Sequence, residues 1–230
     1  MKKIACICLA GTLLGMSAFA QEVKPIAPES SDYLPLLKAA GYEVYAYDIS
    51  SLKDETYFFS VEIQEYVNGE LVVPDEELGF TFSFTNRDML SNFTEDQQEK
   101  IKAEGRAYDV EKGIYRLYTK MTVGFVPTSE SEKSVALFFD GSMRYGTKLK
   151  LKEAAQPGYE GRYMYDVRPV KVEAFQPGTF IPLAVVGSYW FDERVGAFRF
   201  CGENEFPADL QSETLKLVPH YFVVGVRITK

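Results

Sequence analysis

The sequence predicts an all-β protein, an antiparallel β-sandwich of jelly-roll-like kind, and three observations carry that prediction. Apolar and polar residues alternate with period two in segment after segment, as in half-buried strands. Asn68-Gly69 and Asp140-Gly141 each separate two such segments, and both dipeptides suit the positive φ values of a tight hairpin turn. The helices that a parallel α/β sheet needs between its strands are missing. About ten strands with short connections follow, the pattern of a sandwich or a barrel.

The elements can be justified in chain order. Met1-Lys2-Lys3 is a positive start, Ile4 to Met16 is uncharged and mostly apolar or small, and Ser17-Ala18-Phe19-Ala20 places alanine at both small-residue positions of a cleavage site. That is the grammar of a secretory signal peptide cut after Ala20. The apolar run falls short of the roughly 20 residues a membrane-spanning helix needs. Cys6 and Cys8 lie too early in the run for a lipid anchor and read as ordinary residues of it. The expected product is exported to the periplasm or the cell surface of a bacterium.

Residues 21–30 are a polar, proline-containing, flexible lead. Ser31-Asp32 can cap a short helix through Leu36, Leu37 and Ala40 that Gly41 closes. A single sandwich domain is expected over 31–230. Strands are predicted at 42–49 and 56–67; in the second, Tyr57, Phe59, Val61 and Ile63 face one way and Ser60, Glu62 and Gln64 the other. The return strand starts at Glu70 and Pro74 ends it, and alternation recurs through Phe80, Phe82 and Phe84. Thr94 with Gln97 forms a capping box and Gly105 a C-terminal stop, so 94–105 is a short surface helix with Ile101 nearly its only large apolar residue.

One strand is predicted over 114–126, with Tyr115, Leu117, Met121, Val123 and Phe125 on a shared face. Residues 127–133 are a loop. The hairpin at Asp140-Gly141 returns with Met143, Tyr145, Leu149 and Leu151 on one face, against Arg144, Lys148 and Lys150. Residues 153–162 are a candidate seam. Strands follow at 163–175, 180–191, 195–201 and 215–228. Segments 55–70 and 178–193 echo one another, which raises a two-part pseudo-repeat.

Composition bounds the chemistry. Residues 1–20 hold two lysines and no acid, so cleavage moves the formal charge from −8 to −10. That excess opposes binding to nucleic acid or anionic membrane, which need basic patches. Cys201 is the one cysteine after cleavage, which leaves no internal disulfide and suggests a packed, inert thiol at a strand end. The lone histidine, His220, excludes a His-cluster metal site, and its apolar context reads as a satisfied ring at a strand end rather than a catalytic base. No cofactor motif is present.

Paired carboxylates would serve a polysaccharide hydrolase, and Glu62, Glu65, Glu173, Glu203 and Glu205 are the available acids. Asp75-Glu76-Glu77 lacks the spacing of a calcium loop. The most suggestive patch is Tyr189, Trp190, Phe191, Asp192, Glu193 and Arg194, where exposed aromatics beside carboxylates and a guanidinium suit a sugar ring. The competing reading brackets a hairpin with Trp190 and Phe191, one ring in the core.

The opening MKKIACICLAGTLLGMSAFAQE, the Tyr/Phe-rich strands and the closing PHYFVVGVRITK resemble the uncharacterised exported β-rich proteins of about 230 residues from Bacteroides-type gut bacteria. The resemblance implies no activity, cofactor or functional residue. The expectation is a non-enzymatic module that binds a glycan or a protein. The alternatives are a carboxylate-dependent polysaccharide hydrolase and a small outer-membrane β-barrel.

Overall fold

The structure, a computed structural model, describes residues 27–72, 83–200 and 202–230. Residues 1–20, most of the expected lead, Asp75-Glu76-Glu77, Phe80, Phe82 and Cys201 lie outside the described residues. Two antiparallel sheets face each other as a sandwich. The first has the order β1-β7-β8-β9, formed by β1 (Glu43–Asp48), β7 (Lys120–Pro127), β8 (Glu132–Phe139) and β9 (Ser142–Lys150). The second has the order β10-β11-β14-β2-β3, formed by β10 (Tyr165–Pro169), β11 (Phe180–Ser188), β14 (His220–Thr229), β2 (Phe58–Val67) and β3 (Glu70–Val72). The short β4 (Ser83–Thr85) also pairs with β2. Two small ribbons stand beside them: β5 (Arg87–Met89) with β6 (Ile114–Leu117), and β12 (Trp190–Asp192) with β13 (Ala197–Arg199).

Both dipeptide turns form as their chemistry demands. Asn68 and Gly69 have φ of 51° and 81°, and Asp140 and Gly141 have 42° and 83°. Each is a two-residue loop whose left-handed backbone matches the strand twist. Between the sheets, Met121, Val123, Phe125, Val135, Leu137 and Phe139 meet Phe59, Leu183, Val224, Val226 and Ile228. Tyr45 and Tyr47 cross the gap, and their hydroxyls donate to the carbonyls of Val167 and Leu183.

The second sheet is covered on its other face too. Residues 189–200 and 202–218 fold back over it, and Phe200, Phe206, Leu215 and Val218 pack on Val185, Tyr221 and Val223. β14 is therefore buried on both faces from His220 to Val226. A β-bulge between Pro182 and Ala184 lets the consecutive residues Leu183 and Ala184 both point into the inter-sheet core. Opposite that irregularity Gly225 lies flat, because a Cβ there would sit 2.4 Å from the carbonyl oxygen of Ile181.

The helices are α1 (Ser30–Ala39) and α2 (Glu95–Ala103). α2 carries the expected capping box between Thr94 and Gln97, and the chain leaves through Gly105 at φ 64°. Its Ile101 is buried, so the one large apolar residue of a polar helix is its anchor. In α1 the cap is Glu29 rather than Ser31-Asp32; the Asp32 carboxylate reaches back to accept from the Glu29 N–H at 2.7 Å.

Several further elements differ from the sequence prediction. The predicted strand 180–191 is two, because β11 pairs with β10 and β14 while β12 pairs with β13, and the predicted loop 127–133 is entered at its ends by β7 and β8. The run 114–126 is two strands, because β6 pairs with β5 while β7 joins β1 and β8; the chain changes partner at Tyr118-Thr119. Met143 is exposed, because the β8–β9 register shifts between Leu137 and Phe138 and turns it to the outer face. Strand 163–175 shortens to β10, since its continuation meets Phe206 in an isolated parallel bridge at Val170.

Gly225 gives the fold a sharp test. Gly225→Ala should destabilise by about 1–3 kcal/mol through overpacking against fixed backbone. Gly146→Ala, whose Cβ would meet only ordinary contacts at 3.8 and 3.9 Å, should be neutral or stabilising by up to about 1 kcal/mol. Urea unfolding of both variants checks the pair, and equal midpoints would sink the close-approach argument.

Candidate functional site

The start of β14, the start of β10 and the end of β11 converge at one end of the second sheet. In the strand register, His220 pairs with Val67 of β2, and Tyr165 pairs with Ser188 of β11. His220 points to the inter-sheet side of β14 along with Phe222, at the rim where the apolar core ends. There it meets two side chains far away in sequence. The Tyr165 hydroxyl hydrogen-bonds Nδ1, and Nε2 lies 2.9 Å from Oε1 of Glu65. Lys152 closes the group: its ammonium is 3.1 Å from the same Glu65 oxygen, and its backbone N–H donates to the Tyr165 hydroxyl oxygen at 3.0 Å.

The directions in this network are fixed by its ends. Tyr165 accepts from Lys152 N–H and so gives its own proton to Nδ1, which leaves Nε2 carrying the hydrogen that Glu65 accepts. Burial pushes Tyr165 up to about 12. Burial also depresses His220, and although Glu65 favours the charged ring, burial together with Lys152 prevails. The Glu65–His220 contact is thus a hydrogen bond from a neutral imidazole. Burial opposes ionisation of Glu65, but the hydrogen bonds from His220 and Lys152 outweigh it and hold the carboxyl below its usual range.

A cleft of about 220 Å³ opens over this network. Tyr165 and His220 form its floor, and Tyr189, Phe191 and Phe198 form an apolar wall. The 152–156 segment, with Lys152, Glu153 and Gln156, supplies the polar wall. That segment is braced by Ala154 N–H donating to the Arg162 carbonyl and Gly161 N–H donating to Glu153. Phe191 and Phe198 are cross-strand partners in the β12–β13 ribbon and meet edge to face at 5.3 Å.

The sequence-predicted patch divides at this cleft. Tyr189 lines it and stacks on Phe200 at 5.7 Å. Trp190 is half-buried and tilts against Phe200 at 6.2 Å, packed on the second core and not lining the cleft. Asp192 is buried and already bound: Arg194 holds it through Nε at 3.1 Å and Nη2 at 3.2 Å, and Arg199 through Nη1 at 2.8 Å. Those guanidinium bonds bring its carboxyl down to about 2. Arg194 is exposed but folded onto Asp192, and Glu193 is exposed at the turn. Asp192, Arg194 and Arg199 of this ribbon close on one another.

Among the other acids, Glu62 takes Arg227 at 2.9 Å, Glu203 accepts from the Ser212 hydroxyl, and Glu173 and Glu205 are exposed. Glu65 alone of the five reaches the cleft floor. Sequence reasoning did not assemble Tyr165, Lys152 and His220 with Glu65, because the partners stand 55 and 155 residues from His220. The one available signal was a single histidine at the mouth of an apolar strand.

The network has a defined acid response. A histidine depressed on folding keeps the native state short of a proton that the unfolded chain takes up below its ordinary value of 6.5. Its contribution is complete above that pH and is lost as pH falls through the folded value. Glu65, also depressed, acts in the same direction below 4.5. Stability should therefore fall between pH 7 and pH 5, and His220→Gln should flatten that slope. Urea midpoints at the two pH values measure it; an unchanged slope in the variant would remove His220 from the account.

Residues 12–230 match the family model described as Domain of unknown function (DUF5041). No curated protein and no solved structure matches the chain. The match covers nearly the whole length, so the chain belongs to the Domain of unknown function (DUF5041) family.

Proposed function

We propose that the protein is an exported, non-enzymatic binding module of the periplasm or cell surface whose cleft over His220 takes one ring of a neutral glycan. The observation that carries this reading is the satisfied state of the floor. Both imidazole nitrogens are engaged, Tyr165 keeps its proton, and Glu65 is shared by His220 and Lys152. Such a network is rigid and preorganised, which suits recognition. A wall of Tyr189, Phe191 and Phe198 offers flat apolar faces to the ring, and Lys152, Gln156 and Ser188 offer hydrogen bonds to its hydroxyls. The volume is below the ~300 Å³ of typical small-molecule pockets, so the remainder of the glycan lies outside.

The carboxylate–imidazole–hydroxyl order of Glu65, His220 and Tyr165 favours a second reading, a hydrolase with an activated hydroxyl. Against it, burial raises the Tyr165 hydroxyl, which is the reverse of activation. The export reading rests on the sequence of residues 1–20 and predicts that protein made in a secreting bacterial host begins at Gln21, as intact mass will report.

Binding is tested with a panel of neutral oligosaccharides, using the emission of Trp190, which leans on the same Phe200 as Tyr189. A ligand found this way should bind Tyr189→Ala and Phe198→Ala at least tenfold more weakly in calorimetry. Affinity unmoved by both variants would reject the cleft. Cleavage of an oligosaccharide that His220→Gln abolishes would establish the hydrolase instead.

A further inference from the structure

A second cleft, remote in sequence from the first, joins the end of α2 to β6 and the β8–β9 turn. It holds about 510 Å³, within the ~300–1,000 Å³ of small-molecule sites. Its walls carry Arg106, Tyr108, Tyr115, Arg116, Asp140 and Ser142. We propose that this cleft binds a uronic-acid unit of an acidic glycan, with Arg116 and Arg106 on the sugar carboxylate and the tyrosines against the ring.

The first argument is charge. In a chain of formal charge −8, two guanidiniums share one cleft. Arg116 forms no ion pair among the described residues. The carboxylate opposite it in the β5–β6 register, Asp88, is committed elsewhere: it accepts from the Tyr118 hydroxyl and pairs with Arg144 at 3.5 Å. Arg116 instead lies over the Tyr115 ring, 4.9 Å from its centroid, which holds the planar fork in place with its donors unspent on acid. Arg106 has an exposed pair with Glu104, the kind of contact worth little in water and easily exchanged.

The second argument is the company those cations keep. Tyr115 is fixed by an edge-to-face contact with Phe93 at 4.9 Å, and Tyr108 stands beside it, its N–H bonded to the Tyr115 carbonyl at 3.0 Å. Tyr108 is 61% exposed, an aromatic face left in water at the rim of a polar cleft. Asp140 and Ser142 add acceptors on the far wall. A carboxylate there repels a free dianion such as phosphate but accepts from sugar hydroxyls. One carboxylate on a ring bearing hydroxyls matches all three features: a fork for the acid, acceptors for the hydroxyls and an aromatic face for the ring.

The test is calorimetry of the protein at low salt with oligogalacturonate, alginate and hyaluronan fragments. Comparison ligands are methyl-esterified oligogalacturonate, inorganic phosphate and tetraglutamate. At least one acidic glycan should bind, weaken with added salt, and lose at least tenfold with Arg116→Gln and with Tyr108→Ala. The methyl ester should bind at least tenfold more weakly than its acid. Both substituted side chains are at the surface, and urea midpoints confirm folding; Arg106→Gln stands in should either variant fail to fold. Four results would overturn the proposal: no acidic glycan bound, equal affinity for the methyl ester, equal affinity for phosphate or tetraglutamate, or loss of binding on Tyr189→Ala in the other cleft with Arg116→Gln inert.

Discussion

Burial of β14 on both faces is the constraint from which the rest of the structure follows. A strand covered by a facing sheet on one side and by residues 189–200 and 202–218 on the other has no solvated face, so His220-Tyr221-Phe222-Val223-Val224-Gly225-Val226 cannot alternate with polar residues. Its neighbours β11 and β2 are placed by pairing with it, and the sandwich core is filled from its even-numbered face. Only glycine fits at two crowded points: a Cβ on Gly225 would strike Ile181 and Phe180 of the neighbouring strand β11, and one on Gly187 would strike Phe200 of the covering layer. The third layer is thus built to the shape of the second sheet.

The same constraint makes the polar network at the mouth of the strand. His220 is the first residue of β14 and is nearly as buried as the apolar residues after it. A buried imidazole must have both nitrogens satisfied, and Tyr165 and Glu65 supply the partners from the two sides. Lys152 then brings the 152–156 segment down as a wall. The cleft is a consequence of finishing a fully covered strand with a polar residue.

The two small ribbons treat charge in opposite ways. In the β12–β13 ribbon, Asp192 is saturated by Arg194 and Arg199 within its own hairpin, so the guanidinium–carboxylate chemistry that the sequence advertises is spent on holding a turn. Beside β6, Asp88 is drawn off by Tyr118 and Arg144, which leaves Arg116 stacked on a ring and without an acid partner among the described residues. Nearest carboxylate, rather than residue type, separates a structural arginine from one available to a ligand.

The sequence by itself determined the features that depend on neighbours in the chain. Asn68-Gly69 and Asp140-Gly141 turn because their own φ preferences demand it, α2 starts at Thr94 because its cap is three residues from Gln97, and β2 alternates because one face is core. Those local rules sufficed for the all-β sandwich. The strand break at Tyr118 and the outward Met143 were decided by pairing partners and by a register shift, which no local pattern encodes. The sites were decided the same way. Tyr189 was legible as an aromatic beside charge, but whether Trp190 faced the cleft or the core depended on Phe200 across the ribbon. Glu65, Tyr165 and His220 become one network only when three strands distant in sequence are paired in register, because hydrogen bonds report distance in space and the sequence records only distance along the chain.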